Sequence, residues 1–348
     1  MNLELLRELV EGHGVPGFED QIRTIVAREL KGICELSTDA MGNLIAVKKG
    51  SGSGKKLMLA AHMDEIGFIV KFVDKDGFIR LNPLGGFDPR QLNSQRVIVH
   101  SAGGQLNGVL MYGTKPKHLL SDAEASAGQN LDTFFVDCGL GEATKDQVKI
   151  GDMVTMSRQM IPLGENLSCK AMDDRVCVFI MIEALKAAKT NDFDVYAVAT
   201  VQEEIGLRGA SAAGAGINPD VVVALDITLA NDIPGVPEQD HITKLGKGAA
   251  IKIMDGSLIC HPKVVEHFRQ LAIKNEIQYQ MEVLPRGGTD AGGIQRLHGG
   301  IPAFTLSTPT RYVHTVNETV AKSDVQACID LLARYIEDVQ NGDYTYGF

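Results

Sequence analysis

Four short apolar runs, at residues 57–61, 195–201, 221–225 and 303–306, read as buried strands that end in, or lead through a short loop to, a possible metal ligand. The first ends in His62, the second leads to Glu203 and Glu204, the third ends in Asp226, and the fourth precedes a loop carrying His314. In an open α/β sheet, sites form in the crevice outside the carboxyl ends of the strands. Ligands far apart in sequence then converge on one rim, which constrains the fold more than any other feature. A fifth donor, Asp173, stands in Lys170-Ala171-Met172-Asp173-Asp174-Arg175, just ahead of an apolar helix expected over 176–189. A helix cap or a partner for Arg175 is the structural alternative for Asp173.

By itself a Glu-Glu dipeptide is ordinarily a solvated surface pair. Here it follows a buried strand, and adjacent residues leaving a strand point in different directions. One carboxylate can hold a metal while its neighbour faces the substrate as a general base. Two histidines and three carboxylates form a donor set that suits zinc, cobalt or manganese. One bridging carboxylate with two terminal ligands per ion leaves room for a bridging water, whose pKa such ions lower towards about 7. Glu203, beside the ligand Glu204, is the natural acceptor of its proton. The spacing His62-Met63-Asp64 fits a ligand histidine oriented by a carboxylate, Asp64.

The chain has 348 residues, enough for two domains or one large α/β domain with an insertion. Lys plus Arg is 34 against 44 for Asp plus Glu, a net charge of −10 that argues against a nucleic-acid or anionic-membrane surface. No run approaches the roughly 18 apolar residues of a membrane span, and the amphipathic start lacks a signal-peptide profile. Six cysteines without a C-x-x-C pair read as reduced thiols, which places the protein in the cytoplasm.

Along the chain, residues 1–32 read as two helices broken at 12–17. Strands are expected at 34–37, 43–48 and 56–61, with 50–54 (Gly-Ser-Gly-Ser-Gly) a hairpin-like turn between the last two. Residues 66–162 change to short alternating strands, including a hairpin at Asp74-Lys75-Asp76-Gly77. From about 165 the alternation of strand and helix returns. The organisation expected is an α/β catalytic domain, residues 1–65 and 163–348, interrupted by a β-rich domain at 66–162.

Ala61-His62-Met63-Asp64-Glu65-Ile66-Gly67-Phe68, Lys170-Ala171-Met172-Asp173-Asp174-Arg175 and Val201-Gln202-Glu203-Glu204-Ile205-Gly206 occur in that order. With Arg286-Gly287-Gly288-Thr289-Asp290-Ala291-Gly292 and Arg311-Tyr312-Val313-His314-Thr315, they resemble the tetrahedral (TET) dinuclear metallo-aminopeptidases. That family includes bacterial glutamyl aminopeptidase and proteins labelled endoglucanase M, and the resemblance covers nearly the whole chain. It implies a zinc-exopeptidase-like mixed central sheet flanked by helices, with an inserted small β-barrel-like domain that supports oligomerisation. It implies two divalent ions per subunit, zinc or cobalt first and manganese next. His62 and Asp226 would hold one ion and Glu204 and His314 the other, with Asp173 bridging, Glu203 as base and Asp64 orienting His62. Short peptides would be the substrates, and a twelve-subunit homo-oligomer the assembly. Many relatives have Trp at Met172 and Asn at Asp174; neither position is a ligand by this carry-over.

A deacylase or carboxypeptidase with the same paired ions is the alternative. A glycosidase with Glu203 and Glu204 as its carboxyl pair leaves both histidines idle, in a chain without tryptophan for sugar stacking. The glycine-rich stretch 286–293 lacks the Gly-Lys-Ser/Thr ending of a phosphate loop. It reads instead as a tight loop opening a helix, capped by Thr289 or Asp290. Selectivity for an acidic first residue would need a cation in the pocket, for which Arg286, Arg311 and Lys247 are the candidates. Tyr312 and Arg311 also flank a ligand, which suggests contact with substrate.

Overall fold

A computed structural model describes residues 1–346. Its core is a mixed sheet in which the strand Lys56–His62 lies between Asp194–Thr200 and Val221–Leu229, and Val221–Leu229 pairs onward with Ala303–Arg311. These four strands are mutually parallel, with Thr200 opposite His62, Ala224 opposite Ala60, and Asp226 opposite Ser307. They are largely apolar, with valine, leucine and alanine prominent, and almost wholly buried, as expected of parallel strands covered on both faces. Antiparallel strands extend the sheet on both sides to a total of 11.

Helices cover both faces. The chain starts with Leu3–Glu11, capped by Asn2, whose Oδ1 accepts the Leu5 amide at 3.2 Å. Its stripe of Leu5, Leu6, Leu9 and Val10 packs on the helix Met172–Ala187. That second helix is apolar around most of its circumference and is buried accordingly. The closing helix, Lys322–Asp338, packs on its other side.

Between the two halves of the sheet the chain forms a closed six-stranded antiparallel barrel. Its strands are Gly67–Val73, Ile79–Leu84, Gln95–Ser101, Gly104–Tyr112, Phe134–Asp137 and Met153–Met156. Closure removes the unpaired edges that an isolated small sheet would expose. The barrel has its own apolar centre, including Phe68, Val70, Ile79, Val97, Leu110 and Val136.

Three expectations need correction. Residues 50–54 do not close a hairpin, because Asp194–Thr200 inserts between the strands Leu44–Lys48 and Lys56–His62 and pairs with both. The segment instead runs across the sheet edge, tied to Asp192 and Asp194. The strand expected at 303–306 continues to Arg311. Its hydroxyl residues looked like a loop, yet Thr305, Ser307, Thr308 and Thr310 are all buried. Thr289 occupies the N-cap position of Asp290–Ile294 without capping it; its hydroxyl lies 2.9 Å from Thr305 Oγ1 and 3.2 Å from Asp255 Oδ2.

A buried ionic cluster joins the start of the chain to the loops that carry His62 and Asp173. Lys170 Nζ donates to Glu65 Oε2 and to the Gly12 carbonyl, both at 2.7 Å. The Arg175 guanidinium donates to the carbonyls of Leu9, Gly12, Gly14 and Met63, and to Glu65 Oε1 at 3.3 Å. Removing one member of such a buried pair leaves an uncompensated charge, at a cost of about 3–5 kcal/mol. Glu65→Leu is therefore expected to lower unfolding free energy by about that much in urea titrations. A loss below about 1 kcal/mol would contradict this account.

At the seam between barrel and sheet, Thr155 Oγ1 lies 2.9 Å from both His13 Nδ1 and His100 Nε2. Burial, then the charge of Lys170, pushes the His13 imidazole down to about 4, and burial lowers His100 as well. The unfolded chain takes up these protons below about pH 6.5, whereas folded His13 does so only near 4. The unfolded state thus binds more protons between those limits, so stability falls as pH drops through that window. Chemical denaturation at pH 7, 6, 5 and 4 should show this fall, and His13→Gln should reduce it.

Candidate metal centre

The parallel alignment brings His62, Glu203, Glu204 and Asp226 to one rim of the sheet. Asp173 reaches the same rim from the start of the long helix, and His314 from the turn after Ala303–Arg311. Donor atoms of His62, Asp173, Asp174 and Asp226 lie within 4.8 Å of one another, as do those of Asp173, Glu204 and His314. Asp173 belongs to both groups. Its Oδ1 is 3.1 Å from His62 Nε2, and its Oδ2 is 3.4 Å from His314 Nε2. Glu204 Oε1 lies 3.5 Å from His314 Nε2, and Glu203 Oε2 lies 3.8 Å from His62 Nε2.

The backbone that presents these groups is unusual at several points. Ala171, Gln202 and His314 have left-handed φ values of 54°, 57° and 61°. Such conformations cost about 1–3 kcal/mol each and persist only where the surroundings over-determine them. Asp64 supplies part of that constraint. Its two carboxylate oxygens accept the backbone N–H groups of Glu203 and Glu204, each at 3.1 Å. The contact to His62 is made by the Asp64 carbonyl, 3.0 Å from Nδ1, with the carboxylate at 3.6 Å. Asp64 therefore faces both the imidazole and the loop bearing the adjacent glutamates.

Three carboxylates near the rim were not singled out by spacing. Asp174 Oδ2 accepts the His62 amide at 3.2 Å. Asp290, one of the two capping candidates, accepts from Thr200 Oγ1 at 2.6 Å. Glu318 accepts the backbone N–H groups of Asp173 and His314, at 3.0 and 2.8 Å. The barrel contributes the loop after its second strand. A Cβ on Gly85, whose φ is +89°, would lie 3.0 Å from Glu204 Oε2 and 2.5 Å from Ile66 Cγ2, so only glycine fits there.

The electrostatics test whether cations suit this place. Burial, with the neighbouring carboxylates Asp226 and Glu204, pushes Glu203 well above the usual range. Burial, with the charge of Asp173, does the same to Asp226. Burial raises Glu204 too. Burial opposes ionisation of Asp173, but hydrogen bonds from His314 and His62 hold it below its ordinary value. Against the same opposition from burial, Asp173 and Glu204 push His314 up to about 12. Among the described residues, no Lys or Arg pairs with Asp173, Glu203, Glu204 or Asp226. The carboxylates thus draw positive charge onto both imidazoles, and divalent cations meet the same demand. The donor set fits metal ions.

An open cleft of about 580 Å³ leads to the rim, walled by Leu207, Leu229, Leu284, Arg286 and Val313. Of the three cations considered for selectivity, Arg286 lines this cleft. Arg311 is instead held by Asp232 through two bonds of 2.8 and 2.7 Å, and Lys247 is not among the lining residues. Tyr312 is half exposed and also lies outside the lining.

Comparison with known proteins agrees with this geometry. The sequence profile of the M42 glutamyl aminopeptidase family matches residues 42–331. A lysyl aminopeptidase of Pyrococcus furiosus is 36% identical over 353 residues, covering 98% of this chain and 99% of that protein. The solved aminopeptidase APDkam598 from the archaeon Desulfurococcus kamchatkensis is 40% identical and superposes with a TM-score of 0.92, covering 96% of this chain and 94% of that one. The Pyrococcus horikoshii TET1 peptidase, described as able to assemble into a tetrahedron or a large octahedral shell, is 30% identical with a TM-score of 0.86, over 96% and 98% of the two chains. A profile match across most of the chain, with relatives above 30% identity along nearly its full length, means that this chain belongs to the M42 aminopeptidase family of peptide-bond hydrolases.

Proposed function

We propose that the protein is a dinuclear metal-dependent aminopeptidase that removes N-terminal residues from short peptides. The observation that carries this is Asp173, whose two carboxylate oxygens face different histidines, at 3.1 and 3.4 Å. That is the arrangement expected of a bridging ligand. His62 and Asp226 would complete one ion's protein ligands, and Glu204 and His314 the other's. Zinc and cobalt suit this mixture of imidazole and carboxylate, with manganese next. When bound, such ions polarise the scissile carbonyl and make a water acidic enough to be deprotonated near neutral pH.

The chain's own groups do the remainder. Glu203 lines the cleft beside Glu204, and its surroundings favour the protonated carboxyl. As a carboxylate beside the bound ions, Glu203 would accept the proton of the attacking water and, once protonated, hand it to the departing amine. Asp64 holds Glu203 and Glu204 in register through their amides. The cleft walls offer a place for the substrate side chain.

We assign residues 1–65 and 163–348 to the catalytic unit and 66–162 to a barrel domain that serves assembly. Likeness to the P. horikoshii TET1 peptidase, solved as a dodecamer and also described as forming a larger octahedral shell, supports a homo-oligomer with a dodecamer as its expected form. A cytoplasmic setting suits six cysteines, all free.

Residue p-nitroanilides with acidic, apolar and basic first residues provide the assay. Turnover should disappear on full metal removal and return with zinc, cobalt or manganese; activity that survives chelation would end this reading. Acetylating the substrate's amine should abolish turnover, whereas a deacylase would accept the blocked compound. Glu203→Gln should lower kcat by about 10²–10⁴-fold with metal content unchanged. Unaltered kcat would remove Glu203 from its role.

A further inference from the structure

Glu318 begins the short strand Glu318–Ala321, four residues beyond His314, and is 2% exposed. Oε1 accepts the His314 amide at 2.8 Å, and Oε2 accepts the Asp173 amide at 3.0 Å. These two amides belong to turns 141 positions apart in the chain. They meet because Glu318–Ala321 pairs antiparallel with Asn166–Cys169, with Cys169 opposite Glu318. Glu318 thus stands where the ladder ends and both ligand-bearing turns leave the sheet. His314 has a left-handed φ of 61° there, and Ala171, two residues before Asp173, one of 54°. Asp173 itself departs from helical geometry, with φ −75° and ψ 106°, and His314 lies in the turn after Ala303–Arg311.

We infer that Glu318 is a positioning residue that sets the separation of Asp173 and His314, and so governs how tightly the ion held by Asp173, Glu204 and His314 is bound. This rests on the two-ion reading above. The other ion's own ligands, His62 and Asp226, make no hydrogen bond to Glu318; they are held by Asp64, Asp174 and the sheet. The bridging Asp173 is common to both ions, but the ion held by Glu204 and His314 depends on both turns that Glu318 ties, so the effect of Glu318 is larger on that equivalent.

The chemistry of the contact makes it testable. A carboxylate accepts two N–H donors, one on each oxygen, whereas an amide of the same shape has one accepting oxygen and one donating nitrogen. Glu318→Gln keeps the volume and must set a donor against a donor at one of the two turns. Glu318→Asp keeps both acceptors but withdraws them by one methylene.

The experiment is calorimetric titration of the metal-free, full-length protein with zinc. Wild type, E318Q, E318D and D226N are compared, with metal analysis of the products and thermal melts to confirm folding. Wild type should bind two equivalents. E318Q should weaken one equivalent about 10–100-fold and the other, which shares only Asp173, by clearly less. D226N should weaken the other equivalent. Activity of E318Q should then recover towards wild type as zinc is raised, a dependence that general loss of structure would not produce. Equal affinities in E318Q and wild type overturn the inference, as does equal weakening of both equivalents. Wild type binding fewer than two equivalents overturns the two-ion reading and the inference with it. If E318Q does not fold, E318D is read by the same criteria.

Discussion

The candidate metal centre depends on the parallel pairing of Asp194–Thr200, Lys56–His62, Val221–Leu229 and Ala303–Arg311. Parallel strands place all their carboxyl ends on one side, so donors separated by up to 252 positions, from His62 to His314, emerge on one rim. Antiparallel pairing of any one of the four would carry its donor to the opposite side of the molecule. The register matters as much as the direction. Thr200 lies opposite His62, so the loop from Val201 to Glu204 begins level with the imidazole and can fold back over it.

Bringing so many carboxylates together in a buried place is costly, and the surrounding structure shows how it is held. Asp64 is wholly buried and takes both amides of the Glu203-Glu204 pair. Beneath them, Lys170 and Arg175 are buried with Glu65, and their donors satisfy carbonyls of the segment between the first two helices. Lys170 and Arg175 flank Asp173 in sequence, and Glu65 follows His62-Met63-Asp64. The polar contacts that order the N-terminal segment are thus the contacts that hold the two loops of the bridging site. Folding of that segment and assembly of the donor set are one event, which is why loops this strained can stay in place.

The donors and the sheet were legible in the sequence because burial of parallel strands writes itself as uninterrupted apolar runs, and a His, Asp or Glu at their ends stands out. Of the residues that hold the donors, Asp64 was legible from its spacing to His62, but its hold on the Glu203 and Glu204 amides was not. Glu318 was not legible at all, because it acts through backbone amides, which carry no signature in the sequence of the partner. Glu65 and Lys170 stand in the motifs without an assigned role, and Arg175 reads only as a partner for Asp173, because their burial depends on how the helix and the N-terminal segment are placed. The supposed hairpin at 50–54 failed for a related reason: glycine and serine mark a turn, but only the sheet order shows that another strand enters between its arms. Ala303–Arg311 was read as too short because its threonines and serine look like loop residues. The structure buries them, with Thr310 bonded to the Thr308 carbonyl and Thr308 to Cys328.

The donors sit at strand ends and on turns pinned by buried carboxylates, and this cage forms the floor of the cleft. Its walls come from Leu207, Leu229, Leu284, Arg286 and Val313, of which Leu207 also braces the glutamate loop, its N–H donating to the Glu203 carbonyl at 3.0 Å. A change in these walls alters which side chain is accepted while the charge and spacing of the cage stay as they are. A side-chain pocket discriminates by a few contacts, whereas the donors are placed by the rim of the sheet. Arg286 is the cation among the lining residues, so a substitution there changes the charge of the wall and leaves every donor in place.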